Sequence, residues 1–79
     1  MQVSKLFILA NTIEDAAAVA NKENLSRWQW FYVDNADCLR GYSYAKIWLC
    51  SSFSKRNDLS EIFYHTHRIK HLSFETHLL

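Results

Sequence analysis

The chain has no proline, one glycine and two cysteines in 79 residues. It also has no run of charge of one sign and no long apolar span. Each scarcity excludes something. A disordered segment is rich in proline and charge and poor in apolar groups, whereas this chain is 49% hydrophobic and 15% aromatic. With Gly41 as its sole glycine, it cannot build a glycine-rich loop that wraps a phosphate with backbone amides. Cys38 and Cys50 form no C-x-x-C pair and are too sparse for a disulfide scaffold, so both are expected as free thiols. The net charge of +1 is neither the basic excess of an electrostatic nucleic-acid binder nor the acidity of a DNA mimic. It leaves little colloidal repulsion, which suits self-association or a protein partner. The apolar run Leu6–Ala10 is too short for a signal core. No span approaches the roughly 20 residues of a membrane helix, so a cytoplasmic location is expected.

What remains is enough for one small α/β domain over residues 1–79. Lys5–Ala10 is a continuous apolar run, as in a strand covered on both faces. Thr12 is placed to cap a following helix, with Glu14 and Asp15 in its first turn. Ile13, Ala16, Ala17 and Ala20 would share its packed face, and it should end near 22–24. Trp30–Val33 is a second strand, with Trp30 and Tyr32 on one side and Phe31 and Val33 on the other. Asp34 or Asn35 caps a single turn, 36–40, which Gly41 ends in a left-handed conformation. Ala45–Cys50 reads as a central third strand. A polar loop, 51–57, leads to Asp58 and Glu61 as a capping box. The second helix presents Leu59, Ile62, Phe63, Thr66 and Ile69 on one face. His71–Phe74 would be a short edge strand, and 76–79 a tail.

The order β-α-β-β-α-β predicts a miniature Rossmann-like or flavodoxin-like domain, with a mostly parallel four-stranded sheet. The rival is an antiparallel pairing of the second and third strands. Only eleven residues, 34–44, join them, and a parallel crossover needs about a dozen.

In an open parallel sheet, ligands bind beyond the carboxyl ends of the strands. Those ends nominate Asn11 and Thr12, then Asp34 and Asn35, then Ser52, Ser54, Lys55 and Arg56. The last group leads into a helix N-terminus, where anions bind, although a solvated loop explains it as well. Asp34 stands where a ribose-binding acid would, yet the dinucleotide fingerprint is missing, so no cofactor is expected. His67 and His71 are four apart but lack a third ligand nearby, which leaves no metal site. Ser, His and Asp are present without a nucleophile elbow, and Cys38 beside the turn is a weak thiolate candidate. No catalytic residue is nominated.

Twelve aromatic rings exceed what two thin helices and a small sheet bury easily. Some Trp or Tyr should therefore reach the surface, where such residues anchor protein interfaces. Arg27, Trp28, Arg40, Tyr42 and Tyr44 are the interface candidates.

The stretch Leu25-Ser-Arg-Trp-Gln-Trp-Phe-Tyr-Val33, then Leu39-Arg-Gly41, an apolar strand and Asp58-Leu-x-Glu-Ile62, resembles a group of small α/β proteins of tailed bacteriophages. The resemblance spans most of the chain and departs from the pattern in the Ser- and Lys-rich loop after the third strand. It implies this fold and a phage setting, inside the host cell, and it carries no catalytic residues. Three functions rank accordingly. The first is a non-enzymatic module that engages a host or phage protein. The second is a nucleotide- or phosphate-binding domain using the strand ends and the Ser51–Arg56 loop. The third is a nucleic-acid binder through Arg27, Arg40, Lys46, Lys55 and Arg56, beside rings that could stack bases.

Overall fold

The computed structural model describes residues 5–77. Four parallel strands form one sheet in the order β2-β1-β3-β4, with β1 at Lys5–Leu9, β2 at Phe31–Tyr32, β3 at Tyr44–Cys50 and β4 at His71–His77. Two helices, α1 (Ile13–Lys22) and α2 (Leu59–Thr66), and three single 3-10 turns complete the chain. The fold is α/β, and its strand order is the first four strands of the flavodoxin-like arrangement.

The faces follow from the crossover rule. β1 leads to β2 on one side, while β2 leads to β3 and β3 to β4 in the opposite direction. Right-handed crossovers then require the first connection on one face and the other two on the reverse face. The packing agrees. Ala16, Val19 and Ala20 of α1 bury Ile8, Ala10, Trp30 and Cys50. On the other face Leu39 and Ile62 close over Phe7, Leu9, Val33 and Ile47. Each of these fully buried aliphatic side chains contributes about 1.5–3 kcal/mol of transfer free energy, so truncating Ile47 at the sheet centre would damage the fold most directly.

Helix α1 forms because four of its ten residues are alanine and its ends are capped. The Thr12 hydroxyl accepts a bond from the Asp15 amide at 3.2 Å. Asn24, at φ 58°, takes the left-handed position that ends the helix run. Asn35 caps the Ala36–Leu39 turn by accepting from the Asp37 amide at 2.9 Å, and Gly41 is left-handed at φ 85°. That turn replaces a crossover helix. It lets 33–43 pass over β1, so β2 and β3 are not neighbours at all and the antiparallel rival falls away.

Several boundaries differ from expectation. β2 is two residues long because a 3-10 turn at Arg27–Gln29 delays its start and the crossover begins at Val33. As an edge strand it leaves Phe31 42% exposed, not in the core. Ile13, at the first position of α1, is also exposed. The 51–57 loop contains a 3-10 turn, Phe53–Lys55. Asp58 precedes α2, but its carboxylate is bonded to Arg56 and makes no side-chain cap. β4 continues through Thr76 and His77 instead of ending at Phe74, paired with β3 over seven positions. Polar residues suffice there because His71 stacks on Tyr44 and His77 on Trp48, at 4.5 and 3.9 Å between centroids. Residues 78 and 79 of the expected tail lie outside the described residues. Among those described, no helix is long and apolar enough to cross a membrane.

Candidate functional site

The end of the sheet where strands finish carries a polar crevice of about 380 Å³, lined by Asn11, Tyr32, Asp34, Lys55, Arg56, Asn57 and Asp58. It lies where β1 and β3, adjacent in the sheet, send their connections in opposite directions. That is the switch point at which such sheets bind ligands. The crevice is already occupied by an arginine of the chain itself. Arg56 has a side chain only 7% exposed. Its Nη1 donates to the carbonyl oxygens of Ala10, at 3.1 Å, and Val33. Nη2 donates to the Asp34 carbonyl at 2.8 Å. Nε and Nη2 also form a two-pronged pair with Asp58, both contacts at 2.9 Å. One guanidinium thus satisfies the terminal carbonyls of two strands and the start of a helix.

The electrostatics follow. The hydrogen bond to Asp58 strengthens the Arg56 cation, and the same bond holds the Asp58 carboxyl below its ordinary range. Partial burial raises the Tyr32 phenol, a shift that Arg56 partly offsets, so Tyr32 stays protonated at neutral pH. Its hydroxyl donates to the Asn11 carbonyl at 3.4 Å.

The other nominated ligand residues are similarly committed. Ser52 donates to Asp15 at 2.7 Å and accepts from the Asn11 amide at 3.1 Å, which ties the end of β3 to α1. Thr12 and Asn35 are caps. Ser54 and Lys55 are exposed, and of the two only Lys55 lines the crevice. An anion arriving here would meet carbonyl oxygens and the carboxylates of Asp34 and Asp58, with Lys55 as its only uncommitted cation among the described residues. The structure thus brings Asn11, Asp34, Lys55 and Arg56 of the nominated residues to one crevice, and Thr12, Asn35, Ser52 and Ser54 lie outside its lining.

The interface candidates are dispersed. Arg27 and Trp28 stand just before β2, and Trp28 is 81% exposed. Arg40, Tyr42 and Tyr44 precede or begin β3. Tyr42 packs edge-on against Phe7 at 5.3 Å, and Tyr44 is half-buried under His71. Of the five, Arg27 lines a partly apolar edge, and Trp28 stands next to it in the chain. There a shallow cavity of about 260 Å³ is lined by Ile13, Arg27, Trp30, Phe31 and Tyr32. The Arg27 guanidinium stands 5.9 Å from the Trp30 ring centroid, and Lys5 Nζ lies 4.1 Å from that of Phe31. Ile13 and Phe31 were not legible as surface residues, because both fit the apolar periodicity of a buried face. The brevity of β2, foreshadowed by the polar Ser26–Gln29 start, is the signal that could have exposed them.

Among the described residues no group of three His, Cys, Asp or Glu side chains is placed to hold a metal. Cys38 is half-buried, Cys50 is buried, and both are free thiols. No protein-family model, no curated protein and no solved structure matches the chain.

Proposed function

We propose that the chain is a small non-enzymatic binding module whose β2 edge engages a protein partner. The carrying observation is Trp28, 81% exposed on the one-turn helix that leads into β2, next in the chain to Arg27, which lines a shallow cavity with the exposed Phe31 and Ile13. A tryptophan left in water gains most when a partner covers it, and exposed aromatics beside arginine are typical interface anchors. β2 also has an unpaired side, a further opening for another chain. The strand-end crevice supports this choice by contrast, since its arginine is spent on the fold. The resemblance to small phage proteins supplies the setting: the partner is a host or phage protein.

The test is comparative. Cross-linked capture from infected-cell lysate should yield a protein retained by the unaltered chain and lost with Trp28→Ala. A monomer by sedimentation that retains nothing, or a partner held equally by Trp28→Ala and Phe31→Ala, would refute the reading. A second copy of the chain held through this edge would instead make the module a homo-oligomer.

A further inference from the structure

The end of the sheet where strands begin carries a second cavity, of about 240 Å³, that no sequence motif announces. Arg40, Ser43, His65 and Arg68 line it, with Tyr42 and the backbone of Gly41. Arg40 arrives on the segment leaving the 36–39 turn. His65 and Arg68 come from the last turn of α2 and just beyond it. No carboxylate lines the cavity.

The surroundings are equally one-sided. The segments that feed β2, β3 and β4, residues 24–30, 38–43 and 65–70, contain no Asp or Glu. They contain Arg27, Arg40, Arg68 and Lys70, and β1 opens with Lys5. Five of the eight acids follow strands: Glu14 and Asp15 after β1, Asp34 after β2, Asp58 and Glu61 after β3. Glu23, Asp37 and Glu75 lie elsewhere, and none of the three lines the cavity.

Neither Arg40 nor Arg68 pairs with a carboxylate among the described residues. Arg68 is nonetheless positioned. It stands 5.3 Å from the Tyr64 ring centroid and donates to the Tyr64 hydroxyl at 3.2 Å. Cations near the C-terminus of α2 do offset its dipole. That explanation covers His65 and Arg68 and leaves Arg40, which another segment delivers to the same cavity. The carbonyls of Phe63, His65 and Thr66 already accept bonds from the amides of His67, Arg68 and Ile69, so they place little demand on the arginines. Two guanidinium groups facing one cavity without a counter-charge favour an anion between them.

We propose that this cavity binds a phosphate group. Two planar guanidinium forks offer more donors than one carboxylate can use, and they match the several oxygens of a tetrahedral phosphate. The His65 ring and the Ser43 hydroxyl complete the donor set. The phosphate belongs either to a small phosphorylated molecule or to the backbone of a nucleic-acid strand. The site is separate from the β2 edge and stands or falls independently of the protein-binding function.

The experiment is an amide NMR titration of the full chain at low salt, with inorganic phosphate, thymidine monophosphate and single-stranded oligothymidylate as separate probes. Acetate at matched ionic strength is the control. Saturable shifts at Gly41, Ser43 and Arg68 are expected, with affinity falling at least about tenfold in Arg40→Ala and in Arg68→Ala, and partly restored in Arg40→Lys. Both arginines are exposed, so the variants should stay folded, and their unshifted spectra report that directly. Saturation by the two small probes, without gain from the oligonucleotide, assigns a small ligand. Tighter, steeply salt-dependent oligonucleotide binding assigns a strand. Shifts matched by acetate, shifts mapping to the Arg56 crevice, or affinity unchanged by Arg40→Ala would overturn the proposal.

Discussion

The two ends of this sheet use arginine in opposite ways. Where the strands finish, Arg56 is buried, bonded to three backbone carbonyls and paired with Asp58. Where they begin, Arg27, Arg40 and Arg68 are exposed and have no carboxylate partner among the described residues; Arg27 and Arg68 lie beside aromatic rings. The first end is a structural joint and the second an open surface. In an open α/β sheet the strand-finishing end is the customary place for ligands. Here it has been closed by a side chain, and the surface that offers uncompensated charge and exposed rings lies at the other end. Fold topology located the crevice, and the hydrogen bonds inside it commit its arginine to the strand ends.

The sharpest break of this comparison is Arg56→Ala. It strands buried carbonyls of Ala10 and Val33 and leaves Asp58 unpaired, so unfolding free energy should fall by about 3 kcal/mol or more. A urea midpoint unmoved by the substitution would mean that the strand ends hold without it. Next is Trp28→Ala, which should weaken the proposed protein partner by about 2 kcal/mol, some 30-fold, in calorimetry. It should leave stability within about 0.5 kcal/mol.

A smaller effect, about 1 kcal/mol at neutral pH, is expected for Asp58→Asn, because the bond to Arg56 is partly exposed. The sign follows from the depressed folded-state carboxyl. Its contribution is present above the ordinary carboxylate value and lost as pH falls through the lower folded value. The stability curves of the two proteins should therefore begin to converge as pH falls below about 4 and meet only below the depressed folded value. The smallest effect on stability belongs to the opposite end. Arg40→Ala and Arg68→Ala together should shift unfolding by no more than about 0.5 kcal/mol. A larger loss would show that those arginines are structural after all, and would erase the contrast.

Much of the scaffold was legible because local chemistry dictated it. Thr12, Asn35 and Gly41 sit where backbone geometry needs a cap or a left-handed residue. The faces of β2 were also readable, with Trp30 buried against α1 and Val33 on the reverse side. The function of Arg56 was not legible. It neighbours Lys55 and three serines, which reads as an anion loop, and the carbonyls it satisfies belong to β1 and to the end of β2, 46 and 23 positions away in the chain. The length of β4 was hidden for a similar reason. His71–His77 is polar enough to pass for a tail, and only its pairing with β3 and the rings of Tyr44 and Trp48 hold it as a strand. The phosphate cavity unites residues 40 and 68, whose proximity exists only after both crossovers close.

The register of the sheet also bears on how fast the chain can fold. Phe7 pairs with Ile47, forty positions further along, and β3 is bonded on both sides over most of its length. No hairpin offers a shortcut, since every strand neighbour is parallel and reached across a crossover. Chain closure must therefore precede most of the gain from burial, which slows folding relative to a helical protein of this size. β3 is the strand with the most pairing, bonded to both β1 and β4. The two-residue β2 is the shortest strand, and Arg56, which follows β3 in the chain, holds its exit.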